Sequence, residues 1–298
     1  MRQGGRSPKL SGARCAADGG LETSLIAAGL ELPLFAAFVL LEHEEGRRAL
    51  REYYAPYLEL ARRRGVQLVL DTPTWRASSA WGDRLGWSAS RLAAANRAGV
   101  ELLEDLRDPR RPFTISGCIG PRDDSAPGEP TMDAAESEDY HGVQIATFAA
   151  TSADLVTALT LTSASEAIGI VRAAAVARIP VVVSLTVRPD GRLDGGKELG
   201  DAIAEIDAET GSGATSFMLN CAHPTHVAAA LEQPGPWLER IGGLRANAAA
   251  GEDAPGDAPP AFAASCEELA SRLTAVTVLG GCCGTDDRHV DALLEAWG

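Results

Sequence analysis

The chain has 298 residues, of which 45% are hydrophobic, and its formal net charge is -14 at pH 7. This acidic balance disfavours a surface that tracks phosphates or adsorbs to acidic membranes, so we expect neither nucleic acid nor a membrane as a partner. The length allows one large domain or two ordinary ones, with enough apolar material for a sizeable core.

The first 13 residues are predicted to form a flexible leader. Basic side chains are scattered through them, but no apolar stretch of the export-signal type follows. The most apolar run, residues 25–41, is interrupted by Glu31 and Pro33 and is shorter than the roughly 20 residues that span a bilayer. We therefore expect a soluble protein in the reducing cytoplasm, where cysteines are more often free, catalytic or metal-bound than paired.

Short apolar runs rich in β-branched residues alternate with amphipathic segments along the rest of the chain. The runs predict strands at residues 14–18, 66–71, 113–118, 154–160, 180–187, 215–220, 241–246 and 275–280. The amphipathic segments predict helices at residues 44–64, 88–106, 134–150, 166–178 and 198–209. Eight strands that alternate with helices favour an α/β protein, a single (β/α)8 TIM barrel over residues 14–298, rather than two small domains.

Residues 248–264 depart from this alternation. They follow the seventh predicted strand and are rich in Ala, Gly, Pro and Asp. This composition predicts a mobile loop, which serves either as a surface linker or as a lid over the active site.

Three cysteines fall at the ends of predicted strands, where a TIM barrel builds its active site. Asn220 ends the sixth strand and Cys221 follows it, and Cys282 and Cys283 follow the eighth. The adjacent cysteines are poorly placed to bridge each other, because neighbouring Cα atoms lie about 3.8 Å apart and unstrained disulfides need about 4.4 Å or more. Only one strand separates the sixth from the eighth around the ring, so the three sulfurs can converge. Three thiolates suit Zn²⁺ and leave its fourth position open for a substrate, and a thiol held there would be the nucleophilic thiolate.

The remaining cysteines and histidines are assigned to structural roles. A lone cysteine is more often a small buried hydrophobe than a ligand, which is our interpretation of Cys15, Cys118 and Cys266. A proline typical of a first helical turn lies between two histidines and favours capping or surface roles for His223 and His226. The other three histidines fall in helical patterns and are expected to face solvent: His43, His141 and His289.

Taken together, these motifs resemble the zinc-dependent homocysteine S-methyltransferase family. The resemblance runs from Asp18 to the C-terminus through Asp18-Gly19-Gly20-Leu21-Glu22-Thr23, Ala77-Ser78, Gly120-Pro121, Glu166-Ala167, Asn220-Cys221 and Gly280-Gly281-Cys282-Cys283-Gly284-Thr285. It implies a (β/α)8 barrel, Zn²⁺ held by Cys221, Cys282 and Cys283, and methyl transfer to a thiol, above all homocysteine to give methionine. It also implies that the Asp18 carboxylate binds the amino group of the acceptor and that nearby backbone amides meet the acceptor's carboxylate. We therefore add Gly19, Gly20 and Asn220 to the predicted substrate-binding residues.

The chain departs from the family pattern at two places. The family usually has a Glu-Thr pair at the end of the fourth strand, where the glutamate holds the ammonium group, but this chain has Leu159 before Thr160. Loss of one charge-assisted hydrogen bond would weaken amino-acid binding by about 1.5 to 3 kcal/mol, and it leaves open a selenol or a thiol without an amino group as the acceptor. The second departure places Trp75 and Arg76 beside the pocket, and both are predicted to bind substrate. Arg76 either receives an acidic group or forms a salt bridge at the rim.

The methyl donor is inferred from chain length. Family members that use a methylated folate and a corrinoid carry further domains, for which this chain has no room. A small sulfonium, S-methylmethionine or S-adenosylmethionine, is therefore expected, ahead of betaine. Transfer from a sulfonium to a thiolate needs alignment and an activated nucleophile rather than a general base. An alternative of another class is a non-catalytic barrel in which zinc only ties two strands together.

Overall fold

A computed structural model describes residues 14–124, 132–251 and 253–297. The predicted leader, residues 1–13, lies outside them. Eight parallel strands follow one another around a ring in chain order, and the first pairs with the last to close it. The predicted (β/α)8 barrel is therefore confirmed. Its strands are β1 (Cys15–Ala16), β2 (Gln67–Asp71), β3 (Thr114–Ile119), β4 (Leu155–Leu161), β5 (Val181–Leu185), β6 (Ser216–Asn220), β7 (Ile241–Ala246) and β8 (Val278–Gly281).

Helices fill the connections between the strands, and the five predicted helices agree with the structure to within two residues at each end. The helices are α1 (Leu21–Ala27), α2 (Glu44–Arg64), α3 (Ser79–Leu85), α4 (Ala89–Asp105), α5 (Ala134–Ala149), α6 (Ala164–Ala177), α7 (Leu199–Thr210), α8 (Pro224–Ala230), α9 (Pro259–Arg272) and α10 (Asp287–Ala296). Local sequence explains several ends. A reciprocal capping box of Asp133 and Glu136 starts α5, and Gly65 ends α2 with a left-handed φ of 68° that suits glycine. Within the described ranges, no helix has both the length and the apolar character needed to cross a membrane.

Side chains along each strand alternate between the barrel interior and the surrounding helices. On β5, Val182 belongs to a small cluster inside the barrel, whereas Val181 and Val183 belong to the large core between sheet and helices. The same alternation turns polar side chains inward near the carboxyl ends of other strands. The buried residues at those ends include Asp71, Asn220 and Arg245.

The predicted loop at residues 248–264 is shorter in the structure, so this prediction is wrong over its last six residues. Helix α9 begins at Pro259, and Phe262 and Ala263 in its first turns are buried. The proline that indicated a loop instead occupies the first helical turn, where its missing N–H costs no hydrogen bond. The remaining segment is closed on itself by Asp257, whose N–H donates to the Ala248 carbonyl oxygen at 2.8 Å. Its mobility stays a prediction.

Candidate active site

Three cysteine sulfurs meet at the carboxyl end of the barrel. Cys221 directly follows β6, and Cys282 and Cys283 directly follow β8. Their sulfurs all lie within 4.8 Å of one another, and the Cys221 and Cys283 sulfurs are 3.8 Å apart. All three residues are partly exposed and none forms a disulfide. The strands therefore bring together three sulfurs that could hold a metal ion.

The backbone around the cysteines is tightly held. The N–H of Cys282 donates to the Ala246 carbonyl oxygen at 2.8 Å, and the N–H of Cys283 donates to Asn247 Oδ1 at 3.1 Å. Cys221 has a left-handed φ of 55°, a conformation that costs a non-glycine residue about 1 to 2 kcal/mol. Strain of this kind concentrates at functional sites, so the surrounding structure fixes the sulfurs rather than leaving them on a free loop.

Gly19 and Gly20 let the loop after β1 approach the cysteine motif closely. A Cβ atom at Gly20 would lie 2.5 Å from the Cys282 carbonyl oxygen, and one at Gly19 would lie 2.6 Å from the Tyr57 hydroxyl oxygen. The N–H of Gly20 donates to the Thr285 carbonyl oxygen at 3.1 Å. A side chain at either position would clash with these atoms and force this part of the pocket wall to shift.

The three thiols also influence one another's ionisation. Hydrogen bonds from Cys221 and Cys283 lower the pKa of Cys282 well below its ordinary value. Hydrogen bonding with Cys282 and Cys283, followed by burial, raises the pKa of Cys221. The cluster therefore favours one thiolate that is stabilised by two neighbouring thiols.

A buried arginine that the sequence analysis did not single out lies in the same pocket. Arg245, near the end of β7, pairs with the carboxylates of Asp18 and Asp71, and all three residues are buried. Asp18 also accepts a hydrogen bond from Tyr53 Oη at 3.2 Å. Burial raises the pKa of Asp18 to about 6, although the Arg245 charge opposes that shift. Both carboxylates thus already share a cation that belongs to the protein.

Asn220 lines the pocket, and both the oxygen and the nitrogen of its side-chain amide form hydrogen bonds. Its Oδ1 accepts from Ser184 Oγ at 2.6 Å and from the Thr160 N–H at 2.9 Å. Its Nδ2 donates to Thr160 Oγ1 at 2.9 Å and lies 3.9 Å from the Cys282 sulfur. Asn220 therefore braces the end of β4 beside the sulfur cluster.

Trp75 and Arg76 differ in where they point. Trp75 lines the pocket, and its Nε1–H donates to the Leu159 carbonyl oxygen at 3.4 Å. Arg76 makes a bidentate ion pair with Asp124 at 2.7 and 2.8 Å, and its guanidinium carbon lies 3.7 Å from the ring centroid of Trp81. Of the two roles considered for Arg76, the structure has the ion pair at the rim.

Two further side chains line the pocket wall, one apolar and one acidic. The pocket has an empty volume of about 580 Å³, part of it open to solvent, and both Leu159 and Glu22 line it. Burial raises the pKa of Glu22 to about 7. Glu22 lies within the quoted family motif but received no role from the sequence. The sequence analysis missed both Arg245 and Glu22. The signal that could have found them is a charged residue near the end of a barrel strand or in a βα loop, where side chains reach the site.

An eight-stranded parallel barrel whose strand ends bring three cysteine sulfurs together defines a class of barrel proteins with a candidate metal site. Among protein families, the homocysteine S-methyltransferase family matches residues 16–297 of this chain. Because that match covers nearly the whole sequence, the chain belongs to this family.

Solved structures show the same fold. The metallated form of the homocysteine methyltransferase MmuM from Escherichia coli is 22% identical, with a TM-score of 0.76 over 96% of each chain. The oxidised form of that protein is also 22% identical, with a TM-score of 0.78 over 98% of this chain and 99% of the other. No curated protein sequence matches the chain.

Proposed function

We propose that this protein is a zinc-dependent S-methyltransferase of the cytoplasm. It transfers a methyl group from a small sulfonium, S-methylmethionine or S-adenosylmethionine, to a thiol, and homocysteine, which gives methionine, is the first acceptor to test. The observation that carries the proposal is the convergence of Cys221, Cys282 and Cys283 within 4.8 Å. Family membership supplies the reaction class.

The sulfur geometry fits zinc. A tetrahedral site with Zn–S distances of about 2.3 Å needs sulfurs about 3.8 Å apart, and the Cys221 and Cys283 sulfurs are 3.8 Å apart. Among the described residues, no fourth His, Cys, Asp or Glu joins these three in a ligand group. Three protein ligands with one open position are the catalytic arrangement, whereas a closed tetrahedron is the structural one. This favours methyl transfer over the alternative of a non-catalytic barrel held together by zinc.

Some residues of this chain would hold the metal ion, and others would align the acceptor beside it. Cys221, Cys282 and Cys283 would hold Zn²⁺, which when bound keeps a coordinated thiol deprotonated at neutral pH. Gly19 and Gly20 let the loop after β1 pack closely against the cysteine motif, which would fix the position of the acceptor beside the metal. Fixed alignment of this kind supplies much of the rate in a displacement that needs no proton transfer from the protein.

A different acceptor with the same chemistry is the second candidate. The apolar Leu159 and the pairing of Asp18 with Arg245 both change the end of the pocket where the family binds an ammonium. A selenol, or a thiol without an amino group, is therefore kept as an alternative acceptor.

A donor-by-acceptor activity screen tests the proposal. Zinc-loaded protein is incubated with S-methylmethionine, S-adenosylmethionine or betaine against homocysteine, selenocysteine and 4-mercaptobutyrate, and methylated products are quantified by mass spectrometry. A sulfonium should methylate at least one thiol or selenol, and the Cys282→Ser, Cys283→Ser double variant should not. Absence of any methylated product from protein with one zinc per chain would overturn the proposal in favour of the non-catalytic barrel.

A further inference from the structure

The pocket has a carboxylate whose role neither the family pattern nor the metal site explains. Three carboxylates line it in the described part of the chain: Asp18, Asp71 and Glu22. Their state of pairing decides which of them is available to a positively charged group of a substrate.

Asp18 and Asp71 are already paired. Both accept from the guanidinium of Arg245, which is buried and also donates from Nε to the Gly281 carbonyl oxygen at 3.2 Å. An ammonium group brought to Asp18, or to Asp71, whose Oδ1 has no hydrogen-bond partner in the described part of the chain, would therefore lie close to a fixed positive charge. Like charges at short distance in a buried site repel strongly, because little water screens them.

The position where the family carries its second anchor offers no charge. Leu159 lines the pocket at the end of β4, and its apolar side chain cannot accept a hydrogen bond from an ammonium. Of the two carboxylates expected to bind the ammonium in the family, Asp18 is thus neutralised by Arg245 and the other is replaced by Leu159.

Glu22 is the remaining carboxylate. It lies in the first turn of α1 on the pocket wall, and among the described residues no other side chain forms a hydrogen bond or salt bridge with it. Glu22, Cys282 and Cys283 line the same pocket, which places this carboxylate on the wall beside the sulfur cluster. The Arg76 charge lowers the pKa of Glu22 against the effect of burial, but the Arg76 guanidinium donates to Asp124 and to the Leu34 carbonyl oxygen and not to Glu22.

We infer that Glu22 binds the ammonium group of an amino-acid acceptor and so determines the specificity of the pocket for amino acids. The inference rests on the proposed function for the identity of the acceptor. A carboxylate at this position restores the negative charge that Leu159 removes, but from α1 rather than from β4. Charge-assisted hydrogen bonds between ammonium and carboxylate are about twice as strong as neutral ones.

Binding to the protein as purified, with no methyl donor present, tests this inference apart from catalysis. Methionine and 4-(methylthio)butyrate differ only in the amino group, and their dissociation constants are measured by calorimetric titration for wild type, Glu22→Gln and Glu22→Asp. Wild type should prefer methionine by about tenfold or more, the range of one charge-assisted hydrogen bond. Glu22→Gln should lose that preference with unchanged affinity for 4-(methylthio)butyrate, and Glu22→Asp should keep part of it.

Glu45→Gln is the matched control, since it removes one exposed carboxylate of α2 by the same substitution. It should bind both ligands as wild type does, and thermal unfolding of each variant checks that it is folded. Preference for methionine retained in folded Glu22→Gln, or absent from wild type, would overturn the inference.

A second pair of ligands distinguishes the acceptor's ammonium from that of the donor. S-methylmethionine is compared with its deaminated sulfonium analogue in the same titrations. If Glu22→Gln changes the preference only in this donor pair, the assignment to the acceptor is wrong. Loss of the methionine preference in a protein that methylates no thiol would leave Glu22 as an ammonium site and overturn only the proposed reaction.

Discussion

The two ends of the pocket differ in how far they follow their family. At the sulfur end, Cys221, Cys282 and Cys283 match the family motif and converge in the structure. At the charged end, Leu159 lies where we predict the family's carboxylate, and Arg245 pairs with Asp18. Ligands that must surround one ion have few acceptable substitutes, whereas a charge that recognises a substrate can be supplied from another element of the fold.

The two ends also differ in what holds them. The sulfur end is partly exposed and is fixed through backbone groups, such as the Cys282 N–H on the Ala246 carbonyl oxygen. The charged end is buried and depends on side-chain charges that compensate one another. Substitutions at the sulfur end should therefore remove function and spare the fold, whereas removal of one partner from the buried group of Arg245, Asp18 and Asp71 should affect the fold first.

The largest expected effect is on metal content. Cys282→Ser, Cys283→Ser should reduce zinc from about one per chain to near zero by elemental analysis, because two of three ligands are lost. The variant should remain folded by circular dichroism, since the barrel core does not include these residues. Cys266→Ser, which changes a buried thiol in α9, is the control and should retain zinc. Unchanged zinc in the double variant would show that the sulfurs are not the ligands.

The next effect is on stability at the charged end. Arg245→Met should lower the free energy of unfolding by about 3 to 5 kcal/mol, since it leaves two buried carboxylates without their cation. Urea unfolding followed by circular dichroism measures the change. Arg62→Met, which breaks an exposed ion pair with Glu59, should cost much less.

A compensated variant sharpens that result. Replacing the whole charged group by Asp18→Asn, Asp71→Asn and Arg245→Met together should recover part of the lost stability, because no unpaired charge remains. Equal losses for Arg245→Met and Arg62→Met would contradict the view that the charged end supports the fold.

The sulfur end could be predicted from the sequence because two local facts determine it. Adjacent Cys282 and Cys283 after a strand leave little room for a packing role, and parallel strands in a barrel present their carboxyl ends on one face. The strand pattern gave the ring order, so convergence with Cys221 followed. The burial predicted for the lone cysteines Cys15, Cys118 and Cys266 is likewise confirmed.

The charged end could not be predicted because its partners are far apart in the chain. Arg245 lies 227 residues from Asp18 and 174 from Asp71, and no local pattern links such positions. The same limit explains an error with histidines. His141 was expected to face solvent, but it is buried and lies 2.9 Å from a Glu166 carboxylate oxygen.

His289 was also expected to face solvent and is buried. It belongs to the capping box that starts α10, where its Nδ1 lies 2.8 Å from Asp286 Oδ1. The capping role predicted for His223 is confirmed at the start of α8. Helical periodicity alone therefore does not separate a solvated histidine from one that caps or pairs.

The smallest expected effect is on acceptor binding, and it tests whether the charged end can be returned to the family pattern. Leu159→Glu adds a carboxylate at the position where the family carries one, and Leu159 lines the pocket. Zinc-loaded Leu159→Glu should bind homocysteine about tenfold more tightly than wild type, or about 1.4 kcal/mol. Leu159→Gln introduces a side chain of nearly the same size as Leu159→Glu but without the charge. It should show little of this gain in affinity, which separates the effect of charge from that of shape.

In Glu22→Gln, the added Leu159→Glu should restore the preference for ligands with an amino group, because either carboxylate can meet the ammonium. Unchanged homocysteine affinity in a folded, zinc-loaded Leu159→Glu variant would mean that position 159 does not face the ammonium, and the correspondence between β4 and the family motif would be wrong.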